Sequence, residues 1–214
     1  LGVMGYYGHT DVDFGVLPVT TDVDGYGGGV YATYIHPNFY VDTSVLAGKL
    51  EFRTTDHQRG ETDKYDGDTI GASIETGVPI TLGQFVIEPQ LQLTYRDVRF
   101  DTFETDTGVK VSSDDGESLK GRAGARVAVN LNPSEGFLLS PYVSASVVQE
   151  FMGDNTVDAD NVRVHSDVEG TSFDGGLGVT ASLGNAVSIF AEAGGTVGDD
   201  VDSARGNLGV RISW

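Results

Sequence analysis

The chain has 214 residues, which suits one β-domain, and its lack of cysteine excludes disulfides and thiolate metal sites. The net charge is −19, with 32 acidic against 13 basic side chains. This balance argues against nucleic acid as a partner, because phosphate binding needs a basic surface. The most apolar uncharged stretch, residues 137–149, is too short and too polar to cross a bilayer as a helix, which needs about 20 residues.

Apolar and polar residues alternate along most of the chain, and no segment of ten or more residues has helical periodicity. Over residues 87–96, for example, every odd position is apolar or aromatic and every even position is polar or charged. The alternation predicts about ten strands, each close to the roughly 9–11 residues that a tilted membrane strand needs. They are expected at residues 1–8, 25–35, 38–52, 68–82, 85–100, 117–131, 137–151, 171–183, 186–197 and 204–214.

The connections between these strands alternate between short and long. Short connections lie at 36–38, 83–84, 132–136 and 184–185, and long ones at 9–24, 53–67, 101–116 and 152–170, with a shorter acidic one at 198–203. Membrane barrels pair short periplasmic turns with longer extracellular loops. The sequence therefore predicts an all-β fold, an antiparallel up-and-down transmembrane β-barrel, whose acidic long loops are extracellular and carry much of the negative charge.

Charged residues within the strands decide which face is expected to meet lipid. An Arg at the bilayer midplane of a barrel costs roughly 2–4 kcal/mol, so Arg122 and Arg126 are expected to face the lumen. Glu88 and Arg126 lie at similar heights on neighbouring predicted strands, which predicts an interaction between them, with an unpaired solvated lumen as the alternative. The predicted lumen-facing polar residues are Glu75, Glu88, Gln90, Gln92, Arg96, Arg122, Arg126, Glu150, Glu192 and Arg211.

The last predicted strand ends on an aromatic residue. Its apolar positions Leu208, Val210, Ile212 and Trp214 share one parity, and such a strand suits a barrel whose lipid-facing band is bounded by aromatic girdles. A soluble antiparallel sandwich also shows alternation. The many small residues on the apolar parity would fill a soluble core poorly, so the sequence favours the membrane barrel.

Several stretches resemble the C-terminal translocator β-domain of type V autotransporters, the secretion proteins of Gram-negative bacteria. They are Asp24-Gly25-Tyr26-Gly27 with Tyr31-Ala32-Thr33-Tyr34, Phe39-Tyr40-Val41-Asp42, Ile87-Glu88-Pro89-Gln90 with Leu93-Thr94-Tyr95, Asp115-Gly116-Glu117-Ser118-Leu119 with Gly121-Arg122 and Gly124-Ala125-Arg126, Pro141-Tyr142-Val143, and Arg205-Gly206-Asn207-Leu208-Gly209-Val210-Arg211-Ile212-Ser213-Trp214. The resemblance covers essentially the whole chain in order. It implies a barrel of twelve strands in the bacterial outer membrane that anchors and helps export an N-terminal passenger.

The resemblance also implies partners and roles for residues. The final strand is the signal that the barrel-assembly machinery reads in this family, and it maps here to Leu208, Val210, Ile212 and Trp214. Outer-membrane lipid, periplasmic chaperones and the chain's own passenger segment are the other implied partners. Leu1 aligns with the family's third strand, so residues 1–214 are expected to form one translocator domain that lacks two strands, or else a cut-down ten-stranded barrel.

No cofactor, metal site or catalytic residue is predicted, and the chain is not expected to be an enzyme. Residues 27–32 match a nucleotide-binding fingerprint formally, but they lie within a predicted strand with no helix after them. The acidic cluster at 199–202 is interpreted as solvated surface charge rather than a Ca²⁺ site.

Two other functions remain open. One is a stand-alone structural or adhesive barrel. The other is an omptin-like surface protease, in which a loop histidine and a carboxylate would activate a water molecule. The candidate histidines are His9, His57 and His165, the last of which lies close to Asp167 in the sequence.

Overall fold

The computed structural model describes residues 1–13, 18–104, 110–113, 116–159, 162–167, 170–184, 186–198 and 202–212. Within these ranges every regular element is a β-strand, and no helix is long and apolar enough to cross a membrane. The strands are β1 (Gly2–Asp13), β2 (Val19–His36), β3 (Phe39–Asp56), β4 (Glu61–Gly77), β5 (Ile80–Leu82), β6 (Phe85–Phe100), β7 (Phe103–Glu104), β8 (Lys110–Ser113), β9 (Gly116–Val129), β10 (Leu131–Ser134), β11 (Phe137–Glu150), β12 (Asp154–Ala159), β13 (Val162–Asp167), β14 (Gly170–Leu183), β15 (Val187–Gly198) and β16 (Asp202–Ile212).

Ten long strands form one antiparallel sheet in the order β1-β2-β3-β4-β6-β9-β11-β14-β15-β16. Each long strand pairs with its neighbours in the chain, and the short strands β5 and β10 pair with β6 and β11 at one edge. The all-β, antiparallel, up-and-down fold that the alternation predicts is therefore confirmed, with ten long strands.

The structure corrects the lengths of two predicted long loops. Residues 9–13 and 19–24 extend β1 and β2, and residues 53–56 and 61–67 extend β3 and β4, so that β3 and β4 stay paired up to Asp56 opposite Glu61. These extensions carry threonines and charged residues on both faces. Where both faces meet water, a strand continues without apolar alternation, so the periodicity stops before the strand does.

Four connections turn at a glycine with positive φ. Gly83, Gly136 and Gly184 lie in short connections at one edge of the sheet, which we call the short-turn edge. Gly60 lies in the turn between β3 and β4 at the opposite edge, the long-connection edge. Their φ values of 64°, 75°, 56° and 71° lie in the left-handed region that glycine adopts without steric cost.

The two longest connections, predicted as loops, contain strands of their own. β7 and β8 come from the first of these connections, and β12 and β13 come from the second. Together they form a separate four-stranded sheet in the order β13-β12-β8-β7, where Val157 of β12 pairs with Ser113 of β8. The two connections thus support each other at the long-connection edge.

The large sheet curls but has no conventional core. Arg211 of β16 lines a cavity of about 290 Å³ together with Tyr31, Asp42 and Glu75 from β2, β3 and β4, so the last strand faces the first ones across the interior. Among the described residues the single buried hydrophobic side chain is Ala128, at 4% exposure. The soluble-sandwich alternative is therefore wrong, since no second layer of the described strands covers the apolar residues of the large sheet.

Candidate functional site

The strand registers sort the side chains of the large sheet into two faces. Directly paired residues share a face and successive residues alternate, so the row Asp42–Glu75–Gln92–Arg122 lies on one side. We call this side the polar face and the other the apolar face. All ten residues predicted to face the lumen lie on the polar face: Glu75, Glu88, Gln90, Gln92, Arg96, Arg122, Arg126, Glu150, Glu192 and Arg211.

The apolar face carries an exposed hydrophobic band. Leu91, Leu177 and Val210, for example, are 59–65% exposed. Soluble proteins rarely expose apolar side chains over an entire sheet face. On β2 the band runs from Tyr34 to Tyr26, and on β6 from Phe85 to Tyr95. With a rise of about 3.4 Å per residue and a tilt near 45°, the band is about 20–25 Å tall, the height of the lipid-facing band of membrane barrels.

Tyrosines at the long-connection end of the band share one contact. Each donates its hydroxyl to a carboxylate on the next strand, two residues closer to the long-connection edge than its direct partner. The bonds are Tyr7 to Asp24 (2.8 Å), Tyr26 to Glu51 (3.2 Å) and Tyr95 to Glu117 (2.8 Å). Such rings, apolar at one end and hydrogen-bonded at the other, are typical of the boundary between hydrocarbon and water.

One polar network joins four neighbouring strands. The Tyr40 hydroxyl of β3 donates to Glu75 at 2.8 Å and accepts from Gln90 Nε2 at 3.1 Å, and Gln90 also donates to Glu88 at 2.6 Å. Arg122 of β9 then donates from Nη2 to Glu75 at 2.6 Å and from Nε to Gln92 at 2.9 Å. We call this set the β3–β9 network.

A second network joins the strands that follow. The Tyr142 hydroxyl of β11 donates to Glu192 Oε2 at 2.7 Å, and Arg126 lies over the Tyr142 ring at 3.9 Å. Arg205 of β16 binds Asp174 with both Nη atoms, and its Nε lies 3.6 Å from Glu192. We call this set the β11–β16 network, and it ties the last described strand to the two strands before it.

The ion pair predicted between Glu88 and Arg126 is not formed. The two residues are direct cross-strand partners, as their predicted heights indicate. Arg126 leans toward β11 and stacks on Tyr142, while Glu88 accepts from Gln90 on its own strand. The cation–π contact and the hydrogen bond to Gln90 replace the ion pair. The alternative of unpaired, solvated side chains is wrong for these two residues, because each has a partner.

The remaining predicted residues lie near the two edges of the sheet. Glu150 is 7% exposed and accepts bonds from the Ser118 hydroxyl at 2.9 Å and the Leu119 amide at 2.8 Å, with Lys120 Nζ at 3.4 Å. Arg96 is exposed on the polar face. Arg211 lines the cavity beside Glu75 described above.

Sequence reasoning missed five polar-face residues, four of which belong to these networks. They are Tyr40, Asp42, Tyr142, Asp174 and Arg205. Each has the parity of a predicted residue on its own or a neighbouring strand, so parity was a usable signal. Asp42 Oδ1 is buried without a hydrogen-bond partner in the described part of the chain.

Three of the four predicted assembly residues lie on the apolar face of β16. Leu208, Val210 and Ile212 pair with Ala191, Ile189 and Val187 of β15 and are 62–79% exposed. Trp214 lies outside the described residues. β16 pairs only with β15, and β1 pairs only with β2, among the residues that the structure describes.

The histidines considered for a protease lie apart. His9 contacts Asp24 (3.0 Å) and Asp11 (3.1 Å) on the apolar side of the sheet, and His57 contacts the Thr20 hydroxyl (3.0 Å). For His165 and Asp167 the structure gives the backbone pairing of β12 with β13, where His165 lies opposite Thr156.

Comparisons with known proteins point to one family. The sequence model described as "Autotransporter beta-domain" matches residues 1–194. The pertactin autotransporter of Bordetella bronchiseptica is 33% identical over 171 residues, which cover 76% of this chain and 18% of the relative. The probable autotransporter YcgV of Escherichia coli is 30% identical over 194 residues, covering 87% of this chain and 20% of that protein. The chain thus spans about a fifth of the length of these relatives.

Solved structures agree with the fold. The β-domain of the Bordetella autotransporter Brka superimposes with a TM-score of 0.84 at 22% identity, covering 99% of this chain and 82% of that one. The transport unit of the autotransporter AIDA-I from Escherichia coli gives 0.86 at 19% identity, covering 99% and 74%. With the family match, the exposed apolar band and the networked polar face, these likenesses establish that the chain belongs to the autotransporter β-domain family, whose members are outer-membrane translocator barrels of type V secretion and not enzymes.

Proposed function

We propose that this domain anchors its own N-terminal passenger in the outer membrane and helps to export it through a lumen lined by the polar face. The observation that carries the proposal is the segregation of the two faces. Charged and amide side chains of the β3–β9 and β11–β16 networks share one face, and the opposite face is an exposed apolar band. A hydrated interior with a lipid-covered exterior follows from this division.

In the proposed orientation the short-turn edge lies in the periplasm and the long-connection edge outside the cell. Short periplasmic turns and longer external loops are the usual arrangement in outer-membrane barrels. The charged extensions of β1 to β4 beyond the apolar band support this orientation, because they belong in water on the side that bears the larger connections.

Closure of the barrel needs strands beyond those described. Both β1 and β16 have one neighbour each in the described part of the chain, and unpaired backbone groups in hydrocarbon cost several kcal/mol each. The two solved neighbours are longer, since this chain covers 82% and 74% of them. We propose that further strands pair with β1 and β16 in the natural protein and complete the ring.

The free edge of β16 also supports a role in assembly. A strand edge with unpaired N–H and C=O groups is a template for pairing with another protein's strand. We propose that the barrel-assembly machinery recognises β16 through this edge and through Leu208, Val210, Ile212 and Trp214, after periplasmic chaperones deliver the unfolded chain. Replacing Trp214 by Ala in the full-length protein is expected to lower the amount of heat-modifiable barrel in outer membranes, and an unchanged amount would contradict this role.

Export through the lumen is tested by crosslinking, and the 214 residues of this chain contribute no native cysteine to the reaction. The passenger of the full-length protein is stalled in transit and carries one introduced cysteine in the stalled segment, and a second cysteine is introduced at Gln92 on the polar face or at Leu91 on the apolar face. A short bifunctional maleimide should join the stalled passenger to the Gln92→Cys variant and not to the Leu91→Cys variant. Equal crosslinking at both positions, or a passenger displayed at the cell surface with no lumen crosslink, would overturn the proposal.

A further inference from the structure

We propose that the interior of β1 to β4 binds the apolar side of the passenger segment in the lumen, so that this segment keeps one fixed orientation about its own axis. The inference rests on the proposed function, because it takes the passenger as the occupant of the lumen. Two features of the polar face carry it. One is an apolar patch on the first strands, and the other is the concentration of charged side chains on the later strands.

Four successive cross-strand rows on the polar face of β1 to β4 contain no charged residue, and the middle two continue onto β6. The rows, which we call the interior patch, are Met4–Gly29–Leu46–Gly71, Tyr6–Gly27–Gly48–Thr69–Val98, Gly8–Gly25–Leu50–Gly67–Phe100 and Thr10–Val23–Phe52–Tyr65. Arg96 borders the patch, directly opposite Gly71. With strands about 4.8 Å apart and a rise of about 3.4 Å per residue, the patch measures about 19 Å across the strands and about 20 Å along them.

Large side chains of the interior patch lie over glycines of neighbouring strands. A Cβ added at Gly48 would collide with the Tyr6 ring, and one added at Gly71 would crowd the Leu46 side chain. The side chains therefore extend along the wall instead of projecting across the interior. The patch presents a smooth apolar surface that leaves room for another chain beside it.

Three aromatic rings form the end of the interior patch nearest the long-connection edge. Phe52 stacks on Tyr65, with 4.8 Å between the ring centroids and 4° between the planes, and packs against Phe100 at 5.2 Å. These rings, like Leu46 and Leu50, are only half-buried, so part of each side chain still faces the interior. A contiguous apolar patch of a few hundred Å² is unfavourable in water and usually marks an interaction site.

The polar face of the later strands has the opposite character. Within the described strands β9, β11, β14, β15 and β16 it carries eight charged residues, five of them cations: Lys120, Arg122, Arg126, Glu150, Asp174, Glu192, Arg205 and Arg211. Apart from Asp174, β14 contributes only glycine, serine and threonine to this face. The interior thus has an apolar side on its first strands and a charged side on its last ones.

A passenger segment with one apolar and one polar side fits both parts of this interior. Lipid covers the opposite face of the sheet, and a second folded copy of this chain does not fit inside its own ring. Apolar side chains of the segment would remove water from the interior patch, while its polar side chains would stay among water and the charges of the later strands. The difference between the two sides fixes the rotation of the segment.

The test maps which side of a stalled passenger segment faces each part of the lumen. In the full-length protein, one cysteine replaces Thr69 in the interior patch or Ser144 of β11, whose direct partner is Arg126. A second cysteine is moved through consecutive residues of the stalled segment, and a short bifunctional maleimide joins the two. Thr69 and Ser144 are both small hydroxyl residues of the polar face, so the two probes are matched.

We expect Thr69→Cys to join positions on the apolar side of the segment about tenfold more than positions on its polar side, a factor that corresponds to 1.4 kcal/mol. Ser144→Cys should show the reverse preference. A segment held by the interior patch must present different sides to the two probes, whereas a segment that rotates freely presents all of its positions to both.

Replacing Leu46 and Leu50 together by Gln makes the interior patch polar and should abolish the preference. The matched control replaces Leu138 and Val148 by Gln, two half-buried apolar residues on the polar face of β11, and should keep it. Heat-modifiability on gels shows whether each variant is folded. If the double variant of the patch does not fold, the preferences of the two probes without it decide the question.

Crosslinks from both probes without a preference, or a preference that survives the replacement of Leu46 and Leu50, would overturn the inference and leave export through the lumen standing. An absence of crosslinks at Thr69, Ser144 and Gln92 would instead contradict export through the lumen, and the inference with it.

Discussion

The two polar networks differ in what they hold together. The β3–β9 network lies in the middle of the sheet, where each strand already has two neighbours. The β11–β16 network includes β16, which has one neighbour among the described strands, and Arg205 is its link to Asp174 and Glu192. Similar side chains therefore have different roles in the two places. In the middle of the sheet they reinforce strands that are already paired on both sides, and near the edge they hold β16, which is paired on one side, to its neighbours.

The largest effect is expected from Arg205→Ala. It leaves Asp174, 13% exposed, and Glu192, 21% exposed, close together without their shared cation. Removing one member of a fully buried pair costs about 3–5 kcal/mol, and because Arg205 is about a third exposed we expect roughly 2–3 kcal/mol. Urea unfolding in detergent, followed by the loss of heat-modifiability on gels, measures this. Stability equal to wild type would remove the distinction between the two networks.

A smaller loss is expected from Arg122→Gln in the β3–β9 network. Glu75 keeps the Tyr40 hydroxyl as a donor, and its neighbours stay paired on both sides. We expect about 1.5–2 kcal/mol, the lower part of the range for a hydrogen bond to a charged group. The same urea titration checks it, with Arg96→Gln as a control on the same face. A cost above that of Arg205→Ala would reverse the comparison.

Tyr142→Phe separates two contributions within the β11–β16 network. It removes the hydrogen bond to Glu192 and leaves the ring under Arg126, so we expect a loss of about 1 kcal/mol. The ring also fills the space above Gly178, where an added Cβ would collide with it. Tyr142→Ala should therefore cost more than Tyr142→Phe, and equal costs would show that the ring contributes nothing.

The smallest effect concerns the outer end of β1 and β2, beyond the membrane band. Asp24 accepts a bond from His9 and, with Asp11, raises the pKa of His9, whereas the Tyr7 hydroxyl and His9 lower the pKa of Asp24. A raised histidine pKa stabilises the folded state at low pH, and this contribution disappears as pH rises through the folded-state pKa. NMR titration should give a His9 pKa above about 6.5, returning toward it in Asp24→Asn. No change in that variant would contradict the contact.

Parity alone placed every predicted polar residue on one face, because a period of two is a local property of an extended chain. Partner choice was not predictable in the same way. The sequence correctly predicted that Glu88 and Arg126 lie opposite each other, yet Arg126 contacts Tyr142 instead. The direction in which a side chain extends, and the neighbours that compete for it, decide such contacts. Arg205 shares the parity of Arg211 but lies near the strand's outer end, where sequence alternation fades.

The strand ends show a second physical limit. Alternation reveals a strand only where its two faces meet different surroundings, as they do inside the membrane band. Beyond Gly25 of β2 and Phe52 of β3 both faces carry mostly polar residues, so the sequence predicted loops where the paired segments up to Asp56 and Glu61 continue. The pairing of β8 with β12 joins two distant connections and has no local signature at all.

The most direct test of the account is the accessibility of adjacent positions to a water-soluble maleimide in intact outer membranes. Single-cysteine variants are made at adjacent positions, Leu91 and Gln92, Val143 and Ser144, and Leu208 and Asn207, in this chain, whose 214 residues contain no native cysteine. Labelling is expected at Gln92, Ser144 and Asn207, and protection is expected at their apolar neighbours. Equal labelling within each pair, or labelling of the apolar member alone, would contradict a hydrated polar face enclosed by a lipid-facing apolar one.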